Sequence, residues 1–371
     1  MARGLLLGLA MLMAVGGGCP EPSGVEVELE TLLTSNDFPV AIAFASDGRA
    51  FYTEKETGLV RVISAAGALL AQPFADVATV SNSERGLLGI ALHPDFDQNG
   101  YLYVFYTRSS TAQDTRTSNA ATDNRVVRFT ANGNVADGGE ELIVSLPVQP
   151  GPRHNAGNIA VGPDGKLYVT IGDLEDEDAA QDIDDERGRI LRYNDDGSIP
   201  ADNPFGADNP TYALGLRNSF DFAFDPVSGE LFAAETAPTN RDEINLLHAG
   251  SNAGWPLVGG SSNGSPPDVD AGDYVDPIRD YSNGVVVPTG VAFAPDDTYG
   301  AASQNALFVG QNSTGRVVRI TLNAARDAMV SETTFIQLPT GQSIVDVAFA
   351  PSGMMYVVTD TAIHRVLPTA E

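Results

Sequence analysis

Six segments of this 371-residue chain repeat one pattern, and they predict an all-β fold, a six-bladed β-propeller. The pattern is an apolar run, a Pro/Asp/Gly turn and a second apolar run. Composition agrees: 38 Gly and 23 Pro favour many tight turns over long helices. Apolar residues make up 43%, enough to bury a core, so global disorder is excluded.

The first repeat runs over residues 42–48 into 50–53, and the second over 90–95 into 101–106. The third is 159–165 into 167–171, and the fourth is 222–226 into 230–234. Residues 291–296 lead into 306–309, and 347–351 lead into 355–358. Each turn has a mechanism. Pro presets φ, Asp bonds the local backbone, and Gly takes a positive φ. The flanking runs are short and rich in Val, Ile, Phe and Tyr, as strands are. Third strands follow at 59–63, 125–129, 189–193 and 316–320; most alternate Arg with apolar residues, which predicts one solvated face. Residues 25–32 alternate too, and would pair with the last blade to close the ring. Two β-sandwiches are the competing architecture, but sandwiches lack this repeated anchor.

Residues 1–18 carry one charge, Arg3, then an apolar run from Leu5 to Val15 and three glycines. That reads as an export signal, with an apolar stretch too short for a stable membrane span. Cys19, the single cysteine, follows directly and resembles the lipidated first residue of a bacterial lipoprotein. Residues 19–28 then form a tether and 29–371 the propeller. The expected location is the bacterial envelope, periplasmic or at the cell surface, with membrane contact only through Cys19. One cysteine also rules out a disulfide framework. With 49 acidic and 21 basic residues the net charge is −28, which argues against nucleic acid or an anionic membrane surface as partner.

Candidate chemistry sits in the loops. His154, beside Asn155 at a loop-to-strand junction, would place an imidazole at the channel mouth, as a base or as a hydrogen-bonded loop residue. Arg217 and Asn218 would hold a carbonyl or oxyanion there, or Arg217 would bond a neighbouring blade. The loop at 235–245 would offer calcium the oxygens of Ala237, Pro238, Asp242 and Glu243, or remain a solvated acidic loop. The acid run from Asp173 to Glu186 reads mainly as solvated. Asp95–Gly100 matches half of an EF-hand loop but has Tyr106 where the twelfth-position Glu belongs, so it is a blade turn. Gly260–Gly264 fits Gly-x-Ser-x-Gly, yet prolines follow instead of a helix, so it is a loop.

Long ordered motifs then carry a resemblance. Glu84-Arg-Gly-Leu-Leu-Gly-Ile-Ala-Leu-His-Pro94, His154-Asn-Ala-Gly157, Gly215-Leu-Arg-Asn218, Arg241-Asp-Glu-Ile-Asn245 and Asn252-Ala-Gly-Trp-Pro256 resemble the glucose/sorbosone dehydrogenase family. The likeness covers nearly all of the chain after residue 30. It implies a pyrroloquinoline-quinone-dependent sugar dehydrogenase, oxidising an aldose at C1 to a lactone and passing electrons to an acceptor. By the same resemblance His154 takes the hydroxyl proton, Asp173 orients the site, and Arg217 and Asn218 bind quinone oxygens. The carbonyls of Ala237 and Pro238 would hold the cofactor's Ca2+, although the family usually has Gly-Pro there. Asp242 and Glu243 would belong to a structural calcium site.

The chain departs from that family where the cofactor's three carboxylates meet cations. Ser313 stands for a lysine, Ser343 and Val345 for arginines, and Glu84 for a glutamine. A buried unpaired carboxylate costs on the order of several kcal/mol, so binding would weaken by several powers of ten. Arg85, Arg153 or Arg187 would have to compensate. The alternative function is a calcium-stabilised propeller that binds sugar or protein without catalysis; a calcium-dependent lactonase is a third class.

Overall fold

The computed structural model describes residues 25–238 and 240–369. The expected export signal, Cys19 and the start of the expected tether lie outside the described residues. Six antiparallel sheets form the blades, five of four strands and one of five, beside a two-stranded ribbon of Ser251–Asn252 with Asp273–Tyr274. Their innermost strands are Pro39–Phe44, Leu87–Leu92, Ile159–Val161, Ser219–Phe224, Pro288–Phe293 and Ile344–Phe349. Each contains a repeat anchor read from the sequence.

The hairpin turns behave as their residues demand. Gly48, Gly165 and Gly353 lie at φ 87°, 73° and 81°, where a side chain would be strained. Their N–H groups donate to the carbonyls of Ala45, Gly162 and Ala350 at 2.9–3.0 Å. The EF-hand-like segment is a blade turn with one short helix, Phe96–Asn99, stopped by Gly100 in the left-handed region.

The ring closes through the N-terminal strand. Val27–Thr34 pairs antiparallel with Ala362–Pro368, so the last blade is built from both chain ends. Val27 and Glu28, expected in the tether, already pair with Pro368 and Leu367. Arg365 and Glu30 form an ion pair across this seam at 2.6 Å.

The core is distributed between blades. One apolar cluster joins Phe51, Val60 and Val62 of blade one to Leu102, Val104 and Val127 of blade two. Another joins Phe308 and Val317 of blade five to Met355, Val357 and Val366 of blade six. The inner parts of neighbouring sheets therefore cover one another, while outer strands such as Met329–Gln337 stay largely open to solvent. The expected solvated face is kept at Arg316 and in part at Arg61 and Arg125, but is corrected in the third blade. Strand Arg189–Tyr193 is buried throughout, and Arg189, 0% exposed, donates to Thr211 Oγ1 and to the carbonyls of Ala179 and Asp182.

Around the axis, six positions precede the apolar anchors: Ala41, Gly89, Asn158, Asp221, Gly290 and Asp346. Asp346 Oδ2 accepts the Ile42 N–H at 3.0 Å, and Asp221 Oδ2 accepts the Val291 N–H at 2.6 Å, each reaching the next blade. At Gly290 a side chain would fall 2.1 Å from the Val347 nitrogen, so the next blade's backbone comes in directly.

Candidate active site

First strands begin, and second strands end, at the same edge of an antiparallel sheet. Six blades thus gather two sets of loops around one mouth of the axis. His154 lies in the loop before the first strand of blade three, and Asp173 just after its second strand, Leu167–Ile171. Arg217 and Asn218 precede the first strand of blade four; Thr236 to Pro238 follow its second strand, Leu231–Glu235. Glu84 precedes the first strand of blade two. Blade architecture therefore brings these residues together.

The imidazole is held from both sides. His154 Nδ1 donates to Asp173 Oδ1 at 2.6 Å, which leaves Nε2 with its lone pair. Arg217 Nη2 donates to that lone pair at 2.7 Å, and its Nη1 donates to the Thr236 carbonyl at 2.8 Å. Asp173 is 1% exposed; its Oδ2 accepts the Trp255 Nε1–H at 3.0 Å. The Arg217 guanidinium lies 5.8 Å from the centre of the Trp255 ring.

The backbone carrying these groups is strained. His154 and Ala156 have φ of 55° and 49°, a region that costs a non-glycine residue about 1–3 kcal/mol. Two side chains hold it there. Glu84 Oε2 accepts the His154 N–H at 2.6 Å, and Asn218 Oδ1 accepts the Ala156 N–H at 3.1 Å. Beneath them Glu235 Oε1 accepts the N–H groups of Arg217 and Asn218 at 3.1 and 2.6 Å. Burial pushes the Glu235 carboxyl well above the usual carboxylate range.

Two residues expected to bind cofactor or metal have other work. Arg85, 1% exposed, donates to the Ser118 hydroxyl and to the carbonyls of Gln149 and Gly151. It ties the loops behind the His154 segment and does not face the mouth. Asp242 accepts the N–H of Ala237 at 3.1 Å and those of Val286 and Val287 at 2.9 and 2.8 Å. It is a loop tie rather than an open ligand. Glu84 is at the site, but its carboxylate holds backbone.

Glu243 sits between register partners Glu235 and Asp280 on adjacent strands. It accepts from the Gly260 N–H and from Asn245 Nδ2. Burial raises its carboxyl to about 7. Glu235 Oε2, Asn245 Oδ1 and Asp280 Oδ1 are buried there without a hydrogen-bond partner. Among the described residues, no group of three or more His, Cys, Asp or Glu is arranged to hold a metal.

Sequence reasoning assigned no role to Trp255 or Glu235. Trp255 had a signal, since it is the single tryptophan of the chain. Glu235 had none, because its partners are backbone groups of the loop before the neighbouring strand.

A propeller with a histidine–carboxylate pair and an arginine–asparagine pair at one axial mouth has the parts of an acid–base site. The profile of the Glucose / Sorbosone dehydrogenase family matches residues 36–367. The chain belongs to that family, whose members are oxidoreductases acting on CH–OH groups. Aldose sugar dehydrogenase YliI of Escherichia coli is 29% identical over 92% of this chain and 92% of its own. Among solved structures, an oxidoreductase (glucose dehydrogenase) of Thermus thermophilus superposes with a TM-score of 0.78 at 30% identity, over 92% of this chain and all of that one. The PQQ-bound form of aldose sugar dehydrogenase from Streptomyces coelicolor gives 0.77 at 27% identity, over 94% of this chain and 99% of that one.

Proposed function

We propose that this chain oxidises an aldose sugar at C1 and releases the lactone. The observation that carries the reading is the His154 imidazole, fixed by Asp173 with Nε2 turned toward Arg217. Nε2 is the proton acceptor for the C1 hydroxyl. An incoming sugar hydroxyl competes with Arg217 for that lone pair. The guanidinium, still anchored on the Thr236 carbonyl, then faces the oxygen on which charge develops. Asp173 stabilises the imidazolium, and Trp255 keeps Asp173 in place. Arg217 and Asn218 would hold the two-electron acceptor that takes up the C1 hydride.

A calcium ion fits the carbonyls of Ala237 and Pro238. Among the described residues no donor is bonded to either oxygen, and they follow the Thr236 carbonyl that anchors Arg217. Calcium there would polarise the acceptor as a Lewis acid. Pyrroloquinoline quinone, bound in the S. coelicolor structure, fits less well. Arg217 and Asn218 would suit its reacting carbonyls, but at the positions where the family resemblance places cations for its carboxylates stand Ser313, Ser343 and Val345, and Val345 is 3% exposed in an apolar cluster. The export signal and Cys19 would put the reaction at the cell envelope. A propeller that only binds has no need of a base fixed in one tautomer.

The test is aldose turnover with phenazine methosulfate and a set of quinones, the lactone identified by mass spectrometry. His154→Ala is expected to lower kcat by about 100- to 10,000-fold, the range of a general base. Unchanged turnover in that variant would remove the proposed base.

A further inference from the structure

The charge around the mouth is one-sided. Glu84 and Glu175 accept the N–H groups of His154 and Arg153. Asp173 lies behind the imidazole, while Glu235, beneath Arg217 and Asn218, is held toward its neutral form by burial and adds little charge. Below the mouth, Asp221 and Asp346 line the axial cavity together with Ala156 and Gly157.

Most nearby cations are committed elsewhere. Arg85 is on three loop groups, as described above. Arg187 pairs with Asp176 and Asp185 at 2.9 and 2.6 Å. Lys55 is buried, donates to the Ser81 carbonyl and lies 5.1 Å from the centre of the Phe38 ring. Arg241 donates to the Gly259 carbonyl. Arg217 is shared between His154 and Thr236. Arg153 is exposed, and its guanidinium makes no hydrogen bond among the described residues.

The floor is mixed, with the buried acids Asp221 and Asp346 set among apolar side chains. Val40, Leu88, Phe220 and Val345 surround an axial cavity of about 20 Å³, room for roughly one water. On the blade-five side, the exposed Ser313 donates its hydroxyl to the Val285 carbonyl at 2.7 Å.

We propose that the hydride acceptor of this propeller is a quinone bearing at most one carboxylate, set against Arg217 and Asn218 over the axial cavity, with Arg153 as its counter-charge. This rests on the sugar-oxidation reading. A tricarboxylate would face the carboxylates of Glu84, Glu175 and Asp173 with one uncommitted cation, and like charges at short range discriminate strongly. The chemistry balances. The C1–H bond breaks and its hydrogen passes with the bonding electron pair, as hydride, to the quinone. The hydroxyl proton goes to His154 and then to the reduced oxygen. The aldose loses two electrons, and the quinone becomes the quinol.

Calorimetric titration of the purified protein in excess calcium tests this. The probes are pyrroloquinoline quinone, its trimethyl ester and 9,10-phenanthrenequinone. The ester and the carboxyl-free quinone are expected to bind at least about tenfold tighter than the free acid. The free acid is expected to gain affinity as salt rises, because salt screens repulsion. Ser313→Lys, at an exposed position, is expected to strengthen the free acid about tenfold and leave the ester unchanged. Tight binding of the free acid, weakened by salt, would overturn the inference and leave sugar oxidation standing. Failure of all three quinones to bind would overturn it too. Absence of aldose turnover with every acceptor is the separate outcome that removes the sugar reading.

Discussion

His154 occupies a backbone conformation that only glycine adopts freely, and Glu84 keeps it there. A carboxylate accepting one main-chain N–H does work that an amide oxygen also does. Glu84→Gln is therefore expected to retain most activity, whereas Glu84→Ala frees the loop. The expected loss in the alanine variant is about ten- to a hundredfold in kcat, with little change in KM. Kinetics of both variants check this; equal losses would assign Glu84 to charge rather than positioning. The residue scale is also where sequence reasoning fell short. Arg85 looked like a spare cation, but its acceptors are carbonyls 64 and 66 residues away, Gln149 and Gly151. Nothing local in the chain announces such partners.

At the scale of elements, blade four lines up Glu235, Glu243 and Asp280 across adjacent strands. Burial raises Glu243 to about 7 from an ordinary value of 4.5. The fold thus prefers the protonated acid. Its stabilising contribution is complete below about 4.5 and is lost as pH rises through about 7. In calcium-free buffer the protein is expected to lose on the order of 3 kcal/mol across that window. Glu243→Gln is expected to flatten the loss, as read by urea unfolding at several pH values. Calcium is expected to offset it in the parent protein if the unpartnered oxygens of Asn245 and Asp280 belong to its site. The inner strands show a second device. Asp221 and Asp346 are both pushed upward by burial, and each hydrogen-bonds the backbone of the next blade. These acids join the ring, a role invisible in a single hairpin.

At the scale of the whole molecule, stability depends on closing the circle. The strand Val27–Thr34 completes the last blade, and Leu29 and Val27 pack against the cluster shared by blades five and six. Deleting residues 25–34 would expose the edge of Ala362–Pro368 and part of that cluster. The expected result is a melting temperature lower by roughly 10 °C or more, with association through the open edge. Differential scanning calorimetry and light scattering check both. Unchanged melting would mean that the seams between blades suffice without closure.

The repeats, the turns, the closing strand and the fold were legible in the sequence because each rests on local chemistry: alternation sets strands, and Pro, Asp and Gly set turns. The residues of the site were legible one by one, and their grouping came from resemblance to a family. Tertiary structure alone decided which of them meet. Asp173 turns to His154 and Trp255 because loops from neighbouring blades converge on one axial mouth. Tertiary structure also decided which charges stay available. Packing between blades buries Arg189, which alternation had left in solvent, and carbonyls distant in sequence consume the donors of Arg85. A pattern of residue types specifies which strands form, but the balance of charge at a site depends on contacts across the ring, and these exist only once it closes.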